Sequence, residues 1–391
     1  MLKKRYLTEA IANDLKQKMV FIGGPRQVGK TTFAKEIIGS LYNHSSYYNW
    51  DYRPNRREII NSVWPAEADL IILDEVHKYN KWKRLVKGLY DTQKEKFKII
   101  VTGSARLDVF RRGGDSLQGR YHYYRLHPFS LAELLRIENQ IKPGTALSFT
   151  EKAEASSLTK DLLHWGGFPE PLLAKDETIL RRWQNERTER LFREDIRDTT
   201  AVRELGSMEL LAGILPEKAA GQLSINSLRE DLEVSHRAVS NWINLLERFY
   251  YHFRIYPFTS RKIRSLKKEA KLYLWDWSEI KDESRRFENL IASHLLKFVH
   301  YLHDSEGYNL ELQYLRDVEG REVDFLITFN QKPWLAIEVK TQETSISKNL
   351  KYFGDRLNIP YLFQVILTPN LDKQIGNARL ISADKFLTGL V

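Results

Sequence analysis

Gly24-Pro25-Arg26-Gln27-Val28-Gly29-Lys30-Thr31 is the first stretch of this chain whose residue types and spacing imply chemistry. It fits G-x-x-x-x-G-K-[ST], a turn that holds phosphates. Gly24 and Gly29 allow close backbone approach, and the N–H groups of Arg26–Val28 and the positive end of a following helix face the anion, with Pro25 shaping the turn. Lys30 reaches the β- and γ-phosphates, the Thr31 hydroxyl ligates Mg²⁺, and Thr32 continues the ATP-binding run. Such a loop needs a strand before it and a helix after it. Met19–Ile22 reads as the strand and Thr32–Ile38 as an amphipathic helix.

Leu70-Ile71-Ile72-Leu73-Asp74-Glu75 is an apolar strand ending in two acids, at the strand end where open α/β sheets bind ligands. Asp74 would hold the Mg²⁺ through water, and Glu75 would orient and deprotonate the attacking water. A third apolar run leads into Thr102-Gly103-Ser104, where Thr102 or Ser104 could sense the γ-phosphate. Downstream, a Gly- and Arg-rich stretch (Arg111, Arg112, Gly113, Gly114, Gly119, Arg120) offers an arginine to the phosphates, from this chain or from a neighbour.

A second constellation lies near the C-terminus. Val323, Phe325 and Ile327 alternate with Asp324, Leu326 and Thr328; after a turn at 330–333, Leu335, Ile337 and Val339 alternate with Ala336, Glu338 and Lys340. Period-two geometry puts Glu338 and Lys340 on one strand face, and a hairpin brings Asp324 beside them. Two carboxylates and the Val339 carbonyl make a hard-oxygen site suited to Mg²⁺ or Mn²⁺. Lys340 would orient a water or stabilise charge on a scissile phosphate. An alternating-charge edge strand is the plainer explanation of the same pattern.

The segments GPRQVGKT, LILDEVHKYNKW, IVTGSARLDVFRRGGDSLQGRY and LHPFSLAEL resemble the bacterial and archaeal AAA-type ATPases that carry a C-terminal domain of unknown function, DUF4143. HWGGFPEP (His164 to Pro171) and REDI (Arg193 to Ile196) extend the likeness over nearly the whole chain. The resemblance implies P-loop ATPase chemistry, with Thr102 or Ser104 as sensor and Arg120 as arginine finger or sensor. The D-x₁₃-E-x-K arrangement resembles the PD-(D/E)XK nuclease superfamily, with Val323 where the eponymous Pro would stand. By that likeness Glu288 matches the superfamily's additional acidic, metal-binding position beside Asp324 and Glu338. Such folds also persist as inert scaffolds, so the likeness leaves cleavage open.

These sites need an α/β multidomain chain. The expected parts are a P-loop, parallel-sheet ATPase core over 1–135, a helical lid over 136–205, a winged-helix-like segment over 206–258, and a restriction-endonuclease-like α/β domain over 259–391. In the third part, Ser227-Leu228-Arg229-Glu230 reads as a capping box. A turn at 233–235 leads to a helix burying Val239, Trp242, Ile243, Leu246 and Phe249. Its exposed His236, Arg237, Asn241 and Asn244 suit either DNA or a docking partner. Arg248 and the basic stretch Arg261, Lys262, Arg264, Lys267 and Lys268 tilt toward DNA.

Composition agrees with a globular chain that has a polyanionic partner. The 391 residues suggest two or three domains at roughly 150 residues each. Charged residues are 29% and hydrophobic ones 42%, which argues against wholesale disorder, and Lys plus Arg exceed Asp plus Glu by 61 to 51, a net +10. With no Cys there are no disulfides, thiolate metal sites or Cys nucleophiles. No apolar stretch approaches the ~20 residues of a membrane helix, and the N-terminus does not read as a signal peptide, so the expected location is cytoplasmic. Two functions from different classes follow: an ATP-driven protein acting on DNA, and a nucleotide-dependent regulatory switch whose C-terminal domain only docks. An arginine supplied in trans would imply homo-oligomers that form with nucleotide.

Overall fold

The computed structural model describes residues 4–104, 117–197, 204–259, 269–342 and 345–391. They pack as two units. The first draws on Met1–His127, Arg187–Val202 and Arg248–Tyr250, and the second on Pro128–Glu186, Arg203–Glu247 and Tyr251–Val391. The expected 136–205 lid is therefore divided at residue 187.

The first unit is built on a five-stranded sheet of β1 (Met19–Gly23), β2 (Ser45–Asn49), β3 (Leu70–Asp74), β4 (Lys98–Gly103) and β5 (Tyr121–Arg125). Its order is β2-β3-β4-β1-β5, with every pairing parallel. The three apolar runs expected as strands are β1, β3 and β4. They are buried along their length, as a parallel sheet covered on both faces requires. One face packs Phe21, Ile71, Leu73, Val101, Trp82 and Val86 into a continuous core. Register fixes the chemistry: Gly23 lies opposite Gly103, and Asp74 opposite Thr102. The carboxyl ends of β1, β3 and β4 therefore coincide.

The second unit holds an eight-stranded mixed sheet, completed by β6 (His252–Pro257), β7 (Lys271–Leu274), β8 (Leu310–Arg316), β9 (Glu322–Phe329), β10 (Lys332–Lys340), β11 (Tyr361–Ile366), β12 (Asp372–Ile375) and β13 (Ala378–Ser382). The order is β12-β13-β11-β10-β9-β8-β6-β7. β9 and β10 form the antiparallel hairpin that their alternation predicts. The boundary expected at 258/259 does not stand. β6 and β7 pair antiparallel across it, and β6 also pairs with β8. The basic residues Arg261, Lys262, Arg264, Lys267 and Lys268 lie outside the described residues.

Two helices, Ile225–Asp231 and His236–Arg248, precede β6. The first is capped by Ser224, whose hydroxyl accepts from Ser227 N at 3.2 Å, three residues before the expected Ser227 cap. The second buries Val239, Trp242, Ile243 and Leu246 as its periodicity requires, and Leu245 as well. The HWGGFPEP signature is a packing device within the second unit. Gly166 has φ +76°, and a Cβ on Gly167 would meet Trp277 at 2.6 Å and the Phe129 carbonyl at 2.8 Å.

The long helix Glu283–Glu306 places His294 in the core. Its Nε2 accepts from Leu131 N at 3.2 Å, so its Nδ1 donates to the Leu290 carbonyl at 2.8 Å. Only the neutral ring satisfies both, and burial pulls its pKa down to about 4. The unfolded histidine titrates near 6.5, so between these values the unfolded chain binds the extra proton. The resulting stability is complete above about pH 6.5 and is lost as pH falls toward 4. The unfolding free energy from urea titrations across that window should fall for the native protein, by up to ~1.4 kcal/mol per pH unit from this residue. His294→Gln should show a shallower decline.

Candidate functional site

The glycine-rich loop leaves β1 at Gly23 and turns back over the sheet edge. Gly24 has φ +157°, and a Cβ there would lie 2.4 Å from the Leu126 carbonyl. Gln27 and Gly29 are left-handed, at φ 62° and 94°. Val28 anchors the loop in the core. The helix starts at Lys30, two residues earlier than its periodicity suggested, and continues into a π-helical Phe33–Ile38. Within it Thr32 is exposed. The Lys30 ammonium is folded back on its own loop, donating to the carbonyls of Pro25 at 2.8 Å and Gly24 at 3.0 Å. Burial lowers its pKa, against the opposing charges of Glu75 and Asp74.

Three hydroxyls converge on Asp74 at the end of β3. Thr31 donates to Oδ2 at 2.9 Å, Tyr47 of β2 donates to the same oxygen at 2.7 Å, and Thr102 of β4 donates to Oδ1. A threonine hydroxyl beside a carboxylate is a donor set that fits Mg²⁺. Glu75 follows in the left-handed region at φ 55°. Its Oε1 accepts from Ser104 N at 3.0 Å and its Oε2 from Ser104 Oγ at 3.3 Å. His77 Nε2 stands 3.5 Å from Oε2. Burial pushes the Glu75 carboxyl above its ordinary range, with Lys30 pulling the other way. A carboxylate held in place with raised basicity is suited to take a proton. Thr102 and Ser104, which the sequence leaves as interchangeable sensors, thus have different partners: Thr102 holds Asp74, and Ser104 holds Glu75.

Two acids of the REDI segment complete the site. Arg26, inside the loop, bonds Asp195 at 3.0 Å through Nη1 and Glu194 through Nη2. Asp195 is buried, and burial raises its carboxyl against the pull of Arg26. Tyr47, His77, Glu194 and Asp195 are missing from the site residues expected from sequence. The only signal available was the REDI string itself.

The structure does not bring Arg120 to this site. The Arg120 carbonyl accepts from Met19 N, at the end of β1 opposite the loop, and its guanidinium grips Asp91 at 2.7 and 3.2 Å. The five residues of β1 at about 3.3 Å each separate it from the phosphates. Arg111 and Arg112 lie outside the described residues.

In the second unit Asp324 and Glu288 do come together, but around a lysine, with Glu322 as its third carboxylate and Glu338 paired elsewhere. Lys271 Nζ lies 2.7 Å from Glu322, 3.2 Å from Glu288 and 3.3 Å from Asp324. Val339 N donates to Asp324 at 2.9 Å, and Lys340 pairs with Glu338 at 3.1 Å. Burial and the charge of Asp324 push Glu288 and Glu338 up to about 7. Burial alone would lower Lys271, yet the acidic groups of Tyr273, Glu288, Asp324 and Glu322 hold it well above its ordinary value. Among the described residues no group of three or more His, Asp or Glu side chains is arranged to hold a metal ion. Of the carboxylates expected to bind Mg²⁺ or Mn²⁺, Glu288 and Asp324 pair with Lys271, and Glu338 pairs with Lys340.

Residues 16–135 match the family description of an AAA domain, 156–278 a domain of unknown function, DUF8612, and 284–379 a second one, DUF4143. Similar proteins include an uncharacterised protein of Methanocaldococcus jannaschii, 26% identical over 361 residues and spanning 86% of this chain and 78% of that one. Another, from Haemophilus influenzae, is 20% identical over 356 residues and spans 83% of each. Among solved structures, a Walker-type ATPase of Pyrococcus abyssi aligns with TM-score 0.43 at 12% identity, over 73% of this chain and 96% of that one. The Thermotoga maritima RuvB Holliday junction branch migration motor aligns with TM-score 0.29 at 17% identity, over 64% and 88%.

This geometry predicts a clean split between two substitutions. Lys30→Ala should lose ATP binding by calorimetry. Glu75→Gln should bind ATP normally while turnover falls roughly 10²- to 10⁴-fold, the usual scale for a lost general base. Wild-type turnover in Glu75→Gln would assign the base elsewhere.

Proposed function

We propose that this chain, an AAA domain joined to a DUF4143 domain, hydrolyses ATP with Mg²⁺ and uses nucleotide state to control DNA binding by its second unit. One observation carries the first half: Lys30, Thr31, Asp74, Glu75, Thr102 and Ser104 converge at one sheet edge. Lys30 swings from the loop carbonyls to the β- and γ-phosphates. Thr31 and Asp74 would hold the Mg²⁺, which would supply charge neutralisation for the phosphoryl oxygens. Ser104 fixes the Glu75 carboxylate, and Glu75 takes the proton of the water whose oxygen attacks the γ-phosphorus. The bond to the ADP oxygen breaks, and phosphate leaves.

The coupling is assigned to Arg26. A γ-phosphate at the loop competes with Glu194 and Asp195 for its guanidinium, so nucleotide changes what holds the Arg187–Val202 segment. Further along the chain come the helix Leu205–Lys218 and then the two short helices. A nucleotide can shift such an equilibrium only by favouring one arrangement of these contacts over the other.

DNA is supported by the net charge of +10 and by the winged-helix-like order of two helices and a hairpin. His236, Arg237 and Asn241 are exposed on the second helix. Asn244 is less available than expected, because Arg254 donates to its Oδ1 at 2.8 Å. The second reading, a switch that docks a protein partner, is favoured by the lysine-filled acidic cluster, which does not fit a divalent cation. No cleavage step is therefore assigned to Asp324, Glu338 or Lys340. Homo-oligomers remain part of the proposal through Arg120, which could reach phosphates only from a second copy.

Binding of a labelled duplex should weaken roughly a hundredfold between about 50 and 200 mM salt, the fall expected if about four phosphates are neutralised. Arg237→Ala should weaken binding and flatten that slope. Affinity should differ between ATP- and ADP-loaded protein, and Arg26→Ala should erase the difference. Salt-independent or absent binding would favour the docking switch.

A further inference from the structure

The acidic cluster of the second unit has an unusual centre. Lys271 is 3% exposed, and its ammonium has three N–H donors for three carboxylates: Glu322 at 2.7 Å, Glu288 at 3.2 Å and Asp324 at 3.3 Å. The acceptors are otherwise committed as well. Glu288 Oε1 also accepts from Tyr273 OH at 2.8 Å, Asp324 Oδ2 from Val339 N at 2.9 Å, and Glu322 Oε2 from Arg316 at 2.7 Å. Only Glu338 is left with an unpartnered buried oxygen, Oε2, while Lys340 holds its Oε1.

Mg²⁺ binds carboxylate oxygens at about 2.0–2.1 Å and demands near-octahedral geometry. Asp324 and Glu288 can offer that only if the Lys271 ammonium leaves. Leaving would strand a buried cation, which is costly without its paired acids. Lys271 is also fixed through its backbone. It opens β7, which pairs with β6, and it bridges antiparallel to Gln222, just ahead of the first short helix. One residue thus ties the segment before the two helices, the long helix bearing Glu288, and β9 bearing Glu322 and Asp324.

We infer that Lys271 is a built-in cation: its ammonium occupies, permanently and covalently, the place a divalent ion would take among Glu288, Glu322 and Asp324. The cluster is then a cross-link within the second unit and not a loading site for a cleavage metal. This inference is independent of the nucleotide reading, because no residue of the phosphate loop enters it.

The test is Mn²⁺ titration of the nucleotide-free full-length chain, with free Mn²⁺ read by electron paramagnetic resonance. Wild type and Asp324→Asn should give the same curve, which cancels any uptake at the phosphate loop. Lys271→Gln should gain one further Mn²⁺, lost again in Lys271→Gln/Asp324→Asn. Its Tm should drop by about 10 °C, the scale of a broken buried ion pair in a domain of this size, and Mn²⁺ should restore part of it. Mn²⁺ uptake by wild type that Asp324→Asn abolishes overturns the inference, and so does a folded Lys271→Gln that gains no ion. Should Lys271→Gln not fold, the wild-type and Asp324→Asn comparison decides alone.

Discussion

Three hydroxyl groups and one carboxylate set the candidate nucleotide site. Asp74 receives Thr31 from the loop, Tyr47 from β2 and Thr102 from β4, so a single side chain ties the phosphate loop to two strands of the sheet. Its position follows from parallel register, which ends β1, β3 and β4 at the same level. A shift of one residue in β3 would turn Asp74 to the opposite face of the sheet. The buried apolar runs that hold the register are therefore as much a part of the candidate site as the polar residues gathered at its edge.

Glu75 and Arg26 extend this arrangement in two directions. Glu75 sits in a backbone conformation that non-glycine residues seldom adopt, and Ser104, just past β4, clamps its carboxylate. Strain of this kind persists where the surroundings over-determine it. Arg26 links the loop to Glu194 and Asp195, residues some 170 positions later in the chain. The glycine-rich loop thus already grips a carboxylate pair through one guanidinium.

Much of this was legible in the sequence wherever chemistry is local. The loop, the Asp74–Glu75 strand end and the α/β class follow from short apolar runs and glycine spacing. The β9–β10 hairpin follows from alternation alone. Other features were hidden for physical reasons. β2 (Ser45–Asn49) and β5 (Tyr121–Arg125) are edge strands rich in Ser, Tyr, His and Arg, so they lack the apolar signature of their neighbours. Arg120 reads as a loop arginine near phosphate because sequence gives no direction to β5, and the parallel pairing puts it at the wrong end. Lys271 carries no signal at all. Its partners are 17, 51 and 53 residues away, and the sequence around it reads only as the end of a basic stretch.

The sharing of β6 between the short helices and the large sheet has a consequence for how such chains can be rearranged by recombination. A cut near residue 259, where composition changes, would strip β8 of a neighbour and leave β7 without its strand partner β6. Unpaired strand edges invite pairing with other chains. The helix pair and the C-terminal sheet are therefore expected to travel through evolution as one inherited module.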